Sequence, residues 1–127
     1  MTLKYFNRSE FNCPCGSPDC TGEKMNSDFL ELLDSARAIA SISFHITSGL
    51  RCKEYNQDLI KRGYKASKTS SHLKGLAADI SCKNSANRFT IINSLLLVGF
   101  SRIGISDTFI HVDLDNKDKQ KNVIWTY

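Results

Sequence analysis

His72 and Asp79 lie seven positions apart in Ser71-His72-Leu73-Lys74-Gly75-Leu76-Ala77-Ala78-Asp79, and His111 and Asp113 alternate in Phe109-Ile110-His111-Val112-Asp113. Imidazole nitrogens and carboxylate oxygens are donors that zinc takes at ~2.0–2.2 Å in a tetrahedral arrangement. Three such ligands leave a fourth position for water, whose pKa zinc lowers to about 7. That chemistry is hydrolysis. A neighbouring carboxylate can take the proton and pass it to a leaving amine. Either pair alone reads as well as a loop histidine, or as a histidine bonded to the Asp beside it. The two pairs together point to a site.

Such a site needs elements that bring its residues together. His111 and Asp113 fall on one face of a predicted strand over 109–114, with Ile110, Val112 and Leu114 facing the core. Asp79 falls in a strand over 76–81, and His72 in the loop before it. Gly75 permits a tight turn between them, and Ala77-Ala78 leave room beside the site. Upstream, residues 7–26 are loop-like, rich in Asn, Ser, Gly, Pro and Cys. Asn26 or Ser27 can cap a helix whose face carries Phe29, Leu32, Leu33, Ala36, Ile39 and Ala40. Residues 41–47 alternate through Ile42, Phe44 and Ile46 and read as a strand, with His45 as a structural histidine, and Ser48-Gly49 turns the chain.

A short helix is predicted over 53–62, stopped at Gly63, and a polar loop over 64–71 forms the rim of a cleft, with Tyr64 as a substrate contact. A second long helix over 87–98 turns Phe89, Ile92, Leu95 and Leu96 inward and ends at Gly99. Residues 102–105, 109–114 and 123–127 read as three antiparallel strands, the last two joined by a turn near Asn116-Lys117-Asp118. Trp125 and Tyr127 share a face of the last strand and are expected in the core, the alternative being a surface for stacking on a glycan strand. The fold class is α+β, with a central antiparallel sheet flanked by helices.

The chain of 127 residues is expected to form a single domain, 1–127, with residues 1–26 as a cysteine-containing N-terminal loop region. The net charge of +4 is scattered, so it reads as solvated surface and no nucleic-acid partner is expected. Residues 1–8 lack the apolar stretch of a signal peptide. The run Leu95-Leu96-Leu97-Val98 falls far short of the ~18 apolar residues of a membrane span. Cytoplasmic synthesis, no membrane partner and a monomer are expected. Five cysteines without a signal argue against a full disulfide framework. Cys13, Cys15 and Cys20 could hold a second, structural zinc with Cys52 or Cys82 as fourth ligand. Disulfides formed after release, or free buried thiols, are the alternatives.

Ile46-Thr47-Ser48-Gly49-Leu50-Arg51, Ser70-Ser71-His72-Leu73-Lys74-Gly75-Leu76-Ala77-Ala78-Asp79 and Phe109-Ile110-His111-Val112-Asp113 resemble, in order, the motifs of the zinc D-Ala-D-Ala carboxypeptidase family. Its clan also holds lysostaphin-type peptidases and the Hedgehog domain. Phe11-Asn12-Cys13-Pro14-Cys15-Gly16 and Ile124-Trp125-Thr126-Tyr127 are similar to small phage and bacterial members. The resemblance implies a Hedgehog-like fold, zinc on His72, Asp79 and His111, and cleavage of peptidoglycan stem peptides at D-Ala-D-Ala or L-Ala-D-Glu-type bonds. It implies that Arg51 binds a substrate carboxylate or the developing oxyanion, the other reading being an ion pair with Glu54. Ser71 could hydrogen-bond substrate, or serve a plain turn. The chain departs from the pattern at Thr108, where many relatives carry the catalytic base three residues before the distal His. Asp113 is the favoured base and Asp107 the alternative, while Asp113 could also simply orient a ligand histidine.

The resemblance further implies a phage endolysin released by a holin-type pore, or a virion component. A D,D-carboxypeptidase or dipeptidase on small precursors, and a non-catalytic wall-binding module that keeps the metal, stay open.

Overall fold

Asn26 opens the first helix by accepting a hydrogen bond from the Phe29 amide at 2.9 Å, and α1 (Ser27–Ala40) runs until Ser41 turns left-handed at φ 57°. The computed structural model describes residues 2–127. Along them follow β1 (Ile46–Ser48), α2 (Lys53–Lys61), β2 (Ala77–Ser81), α3 (Ser85–Leu97), β3 (Arg102–Ile105), β4 (Phe109–Asp113) and β5 (Val123–Thr126), with short 3-10 turns at Arg8–Phe11, Gly22–Lys24 and Ser71–Lys74. No described helix is long and apolar enough to cross a membrane.

The strands form one sheet in the order β1-β2-β4-β3-β5. β1, β2, β4 and β3 pair antiparallel. β5 instead runs parallel to β3, with Gly104 opposite Trp125. The all-antiparallel expectation is therefore corrected: the sheet is mixed, and the turn near 116–118 does not join two neighbours. Both edges of β4 are already taken by β2 and β3, so the last strand cannot pair with β4 and adds instead to the free edge of β3.

Alternation sorts the sheet into two faces. Ile80, Ile103, Ile110 and Val112 are fully buried on one face, in a common core with Phe29, Leu30 and Leu33 of α1 and Ile91 and Leu95 of α3. Each such side chain contributes roughly 1.5–3 kcal/mol by leaving water. Phe29 and Phe100 meet edge to face at 5.6 Å between centroids. The helix faces differ in detail from the periodic reading. Ile39 is 51% exposed and Leu30 takes its place in the core. On α3, Phe89 (72% exposed) and Leu96 point outward, while Ile91 and Leu95 carry the contact. A helix laid on a sheet buries one narrow stripe, and extra apolar residues beside it stay outside.

The predicted strand over 41–47 is shorter than expected. Ser41 is used to end α1, and only Ile46–Ser48 pairs, although Phe44 keeps its inward position. His45 is exposed.

Candidate active site

The polar face of the sheet carries one cross-strand row. Register places Asp79 opposite His111, His111 opposite Gly104, and Gly104 opposite Trp125. The Ser71–Lys74 turn, closed by Gly75 at φ 68°, lifts His72 over this row. Asp79 Oδ1 then lies 3.0 Å from His111 Nδ1 and 3.4 Å from His72 Nε2. Bonds of ~2.0–2.2 Å at tetrahedral angles separate ligand atoms by roughly 3.3–3.5 Å. The two inner nitrogens lie close to that spacing from Asp79, the three donors fall within 4.8 Å of one another, and all three residues are buried.

The outer ring nitrogens fix which lone pairs are free. His72 Nδ1 sits 2.7 Å from the Gly49 carbonyl, which can only accept, so Nδ1 carries the proton and Nε2 offers its lone pair inward. His111 Nε2 donates to Asp113 Oδ2 at 2.7 Å, leaving Nδ1 to face Asp79. Carbonyl or carboxylate support of a ligand histidine is the usual bracing of a zinc site. The donor set therefore fits zinc. Burial pushes the His72 imidazole down, against the pull of Asp79. Burial alone would raise the Asp79 carboxyl, but hydrogen bonds with His111 and His72 hold it well below the usual carboxylate range. Burial likewise opposes charge on His111, and the two flanking carboxylates outweigh it and raise its pKa. Without metal, the Asp79–His111–Asp113 line thus favours a proton on His111, where a cation can take its place.

Arg51 comes from the segment after β1. Its Nε donates to Ser48 Oγ at 3.1 Å, and its Nη2 lies 3.4 Å from Asp79 Oδ2. Asp79 is thus held at one oxygen by Arg51 while the other faces the histidines. A cleft of about 610 Å³ opens here, lined among others by Arg51, Tyr55, Tyr64, Asp107, Phe109 and Tyr127. A deeper pocket of about 240 Å³ continues past Asp79 to His72, His111, Asp113 and Trp125. Lys65 and Arg51 line both parts, and Lys119 the inner one.

A family model described as peptidase M15 matches residues 4–113, which include every residue of the donor set. The chain belongs to the peptidase M15 family. No curated protein matches it. Among solved structures, the L-Ala D-Glu endopeptidase ChiX of Serratia marcescens is similar in fold, with a TM-score of 0.53 at 17% identity. The likeness covers 60% of this chain and 62% of that one, so the chain spans under two thirds of that neighbour's length.

Within this M15 chain, the residues expected from sequence fall into four groups. His72, Asp79, His111 and Arg51 come together. Asp113 stands behind His111, 1% exposed, with Oδ1 accepting from Arg102 Nε at 2.7 Å and from the Asp115 amide at 3.1 Å. Burial would raise its pKa, but His111 and Arg102 hold it low. Asp107 is exposed on the cleft wall. Ser71 is buried, donating to Asp115 Oδ2 at 2.7 Å and accepting from Lys119 Nζ at 3.0 Å. Arg51 does not pair with Glu54.

The sequence reading missed Arg102 and Asp115, and it put Trp125 and Tyr127 in the wrong place. Arg102 is buried, bonds the Gln120 carbonyl as well as Asp113, and lies over the Trp125 ring at 5.1 Å. Asp115 gathers Ser71 and Lys74. Trp125 is not in the core but beside His111, 5.4 Å between centroids, and Tyr127 lines the cleft at 46% exposure. A Cβ on Gly104 would stand 2.6 Å from the indole nitrogen, so only glycine leaves the slot that Trp125 fills. Alternation held the signal: Arg102 and Gly104 share a face opposite Ile103, and the 111/113 series continues to Asp115.

The cysteines divide. Cys13, Cys15 and Cys52 present sulfurs within 4.8 Å of one another. The neighbouring Cys15 first, then burial and Cys52, push the Cys20 thiol up to about 12. Cys82 stands apart, its thiol against the Asn84 carbonyl.

Proposed function

We propose that this M15 chain is a zinc-dependent peptidase that hydrolyses stem peptides of peptidoglycan, at D-Ala-D-Ala or L-Ala-D-Glu-type bonds. The observation that carries the metal is the pair of outer braces: Gly49 and Asp113 accept at the outer nitrogens of His72 and His111 and turn the inner nitrogens toward the space they share with the Asp79 carboxylate. The substrate class rests on the family, on a cleft lined by the cations Arg51, Lys65 and Lys119, and on the carboxylate-rich chemistry of stem peptides. When bound, zinc supplies a Lewis acid for the scissile carbonyl and an acidified water.

The chain's own residues have separate duties in this reading. Arg51 meets a substrate carboxylate or the growing oxyanion while steadying Asp79. Asp113 has both oxygens committed and acts by holding His111 in orientation; Arg102 holds Asp113 in turn. Asp107, open to the cleft and with a carboxylate that no side chain among the described residues binds, takes the proton. Ser71 forms a polar wall and keeps Lys119 over the inner pocket. Trp125 and Tyr127 offer flat faces to the substrate. A phage-lysin setting, as the resemblance implies, belongs to the same proposal.

The test is mass spectrometry of soluble products from purified peptidoglycan, with protein untreated, chelated, and chelated then resupplied with zinc. New amino and carboxyl ends should appear, vanish with chelator and return with zinc, and they name the bond. Folded, zinc-loaded protein that releases nothing would sink the murein reading and turn attention to small precursors or to a binding module.

A further inference from the structure

Three of the five cysteines bring their sulfurs together beside the cleft, outside the donor set just described, and a fourth, Cys20, lies in the same N-terminal loop. Cys13 Sγ and Cys52 Sγ are 3.8 Å apart. A disulfide requires about 2.05 Å. Two thiolates on one tetrahedral zinc, each at about 2.3 Å, stand roughly 3.8 Å apart. Cys15 completes a group with all sulfurs within 4.8 Å. Cys20 is brought beside this group by the backbone, the Cys13 amide donating to its carbonyl at 2.9 Å.

Each of three sulfurs also accepts a backbone amide at 3.4 Å: Cys13 from Cys52, Cys15 from Ser17, and Cys52 from Tyr55. Amides aimed at sulfur favour the ionised form that ligates metal. Cys52 moreover caps the N-terminus of α2, where the helix dipole favours negative charge.

We propose that Cys13, Cys15, Cys20 and Cys52 form a four-thiolate site for a structural Zn2+ that fastens the N-terminal loop to the Arg51 end of the cleft. Each thiol that ligates gives its proton to solvent. The attachment bears on the catalytic face. Cys52 follows Arg51, the Arg51 amide donates to the His72 carbonyl at 3.1 Å, and the Leu50 amide donates to the Phe11 carbonyl at 2.9 Å. Pro14, between two of the thiols, lines the cleft.

The test counts metal in full-length protein purified under reducing conditions and reloaded with zinc, then with cobalt. The wild type should hold two equivalents. His111→Ala should keep one, and its cobalt form should show a thiolate-to-cobalt charge-transfer band and a melting temperature that falls on chelation. Cys15→Ser with Cys20→Ser should lose that equivalent, and Cys82→Ser should lose none. A His111→Ala protein that binds no metal, or binds cobalt without the charge-transfer band, overturns the site. So does mass spectrometry that finds Cys13 and Cys52 in a disulfide in unreduced protein. Because the readout uses the His111→Ala background, it stands whether or not the chain cleaves peptidoglycan, and it needs no cysteine variant to fold.

Discussion

The His72–Asp79–His111 set and the four-cysteine set flank the same Arg51 segment, yet they are built in opposite ways. Sheet register fixes the first: Asp79 and His111 are directly opposed on β2 and β4, with apolar neighbours on either side anchoring the strands. Loops gather the second, from residues 13, 15, 20 and 52, and Cys15 is exposed. Donors on paired strands are held before any ion arrives. Donors on loops lean on a few amides, so the ion itself must supply much of their order. The first arrangement suits chemistry that needs fixed geometry, and the second suits a fastener.

That contrast can be broken most sharply at His111. His111→Ala should reduce peptidoglycan hydrolysis to the chelated background while circular dichroism stays native; retained hydrolysis with unchanged metal content would end the strand-built reading. Next comes Asp107→Asn, expected to lower turnover by ~10²–10⁴-fold, as loss of a general base does, at saturating zinc. Asp113→Asn should instead weaken zinc by ~10–100-fold in a competitive chelator titration and leave turnover largely intact once zinc saturates. If the two phenotypes are exchanged, Asp113 is the base after all.

Gly104→Ala probes the edge of the strand-built site. Forcing a methyl toward the indole should cost about 1–3 kcal/mol in thermal or denaturant unfolding, with the metal still bound. The smallest effect is expected at Asp118, on the surface. Lys74 holds its carboxyl below the usual range, so the pair's contribution is present at neutral pH and fades as pH falls through that lowered value. Asp118→Asn should therefore lower the melt only slightly at pH 7, the difference from wild type closing as pH falls.

How much of this was legible follows from the same contrast. The donor residues, their strands, the α+β class and the cap at Asn26 could be read because alternation and helical spacing are local properties of the sequence. Which edge β5 joins is not local. It depends on β4 being flanked on both sides, and with it went the placement of Trp125 and Tyr127. Arg102 and Asp115 were missed for a related reason: a charged residue beginning or following a strand looks solvated until the neighbouring strand shows what it bonds. Cys52 was one of two candidates to join the N-terminal thiols, and only the fold separates it from Cys82.

The row across the sheet has one more consequence. Trp125 is the chain's single tryptophan, and Gly104 lets its indole rest against the imidazole of His111. Indole emission is sensitive to a charge at that distance. The protein therefore carries its own unlabelled fluorophore at the candidate centre, and loading or stripping of the ion can be followed in real time from the light of one residue.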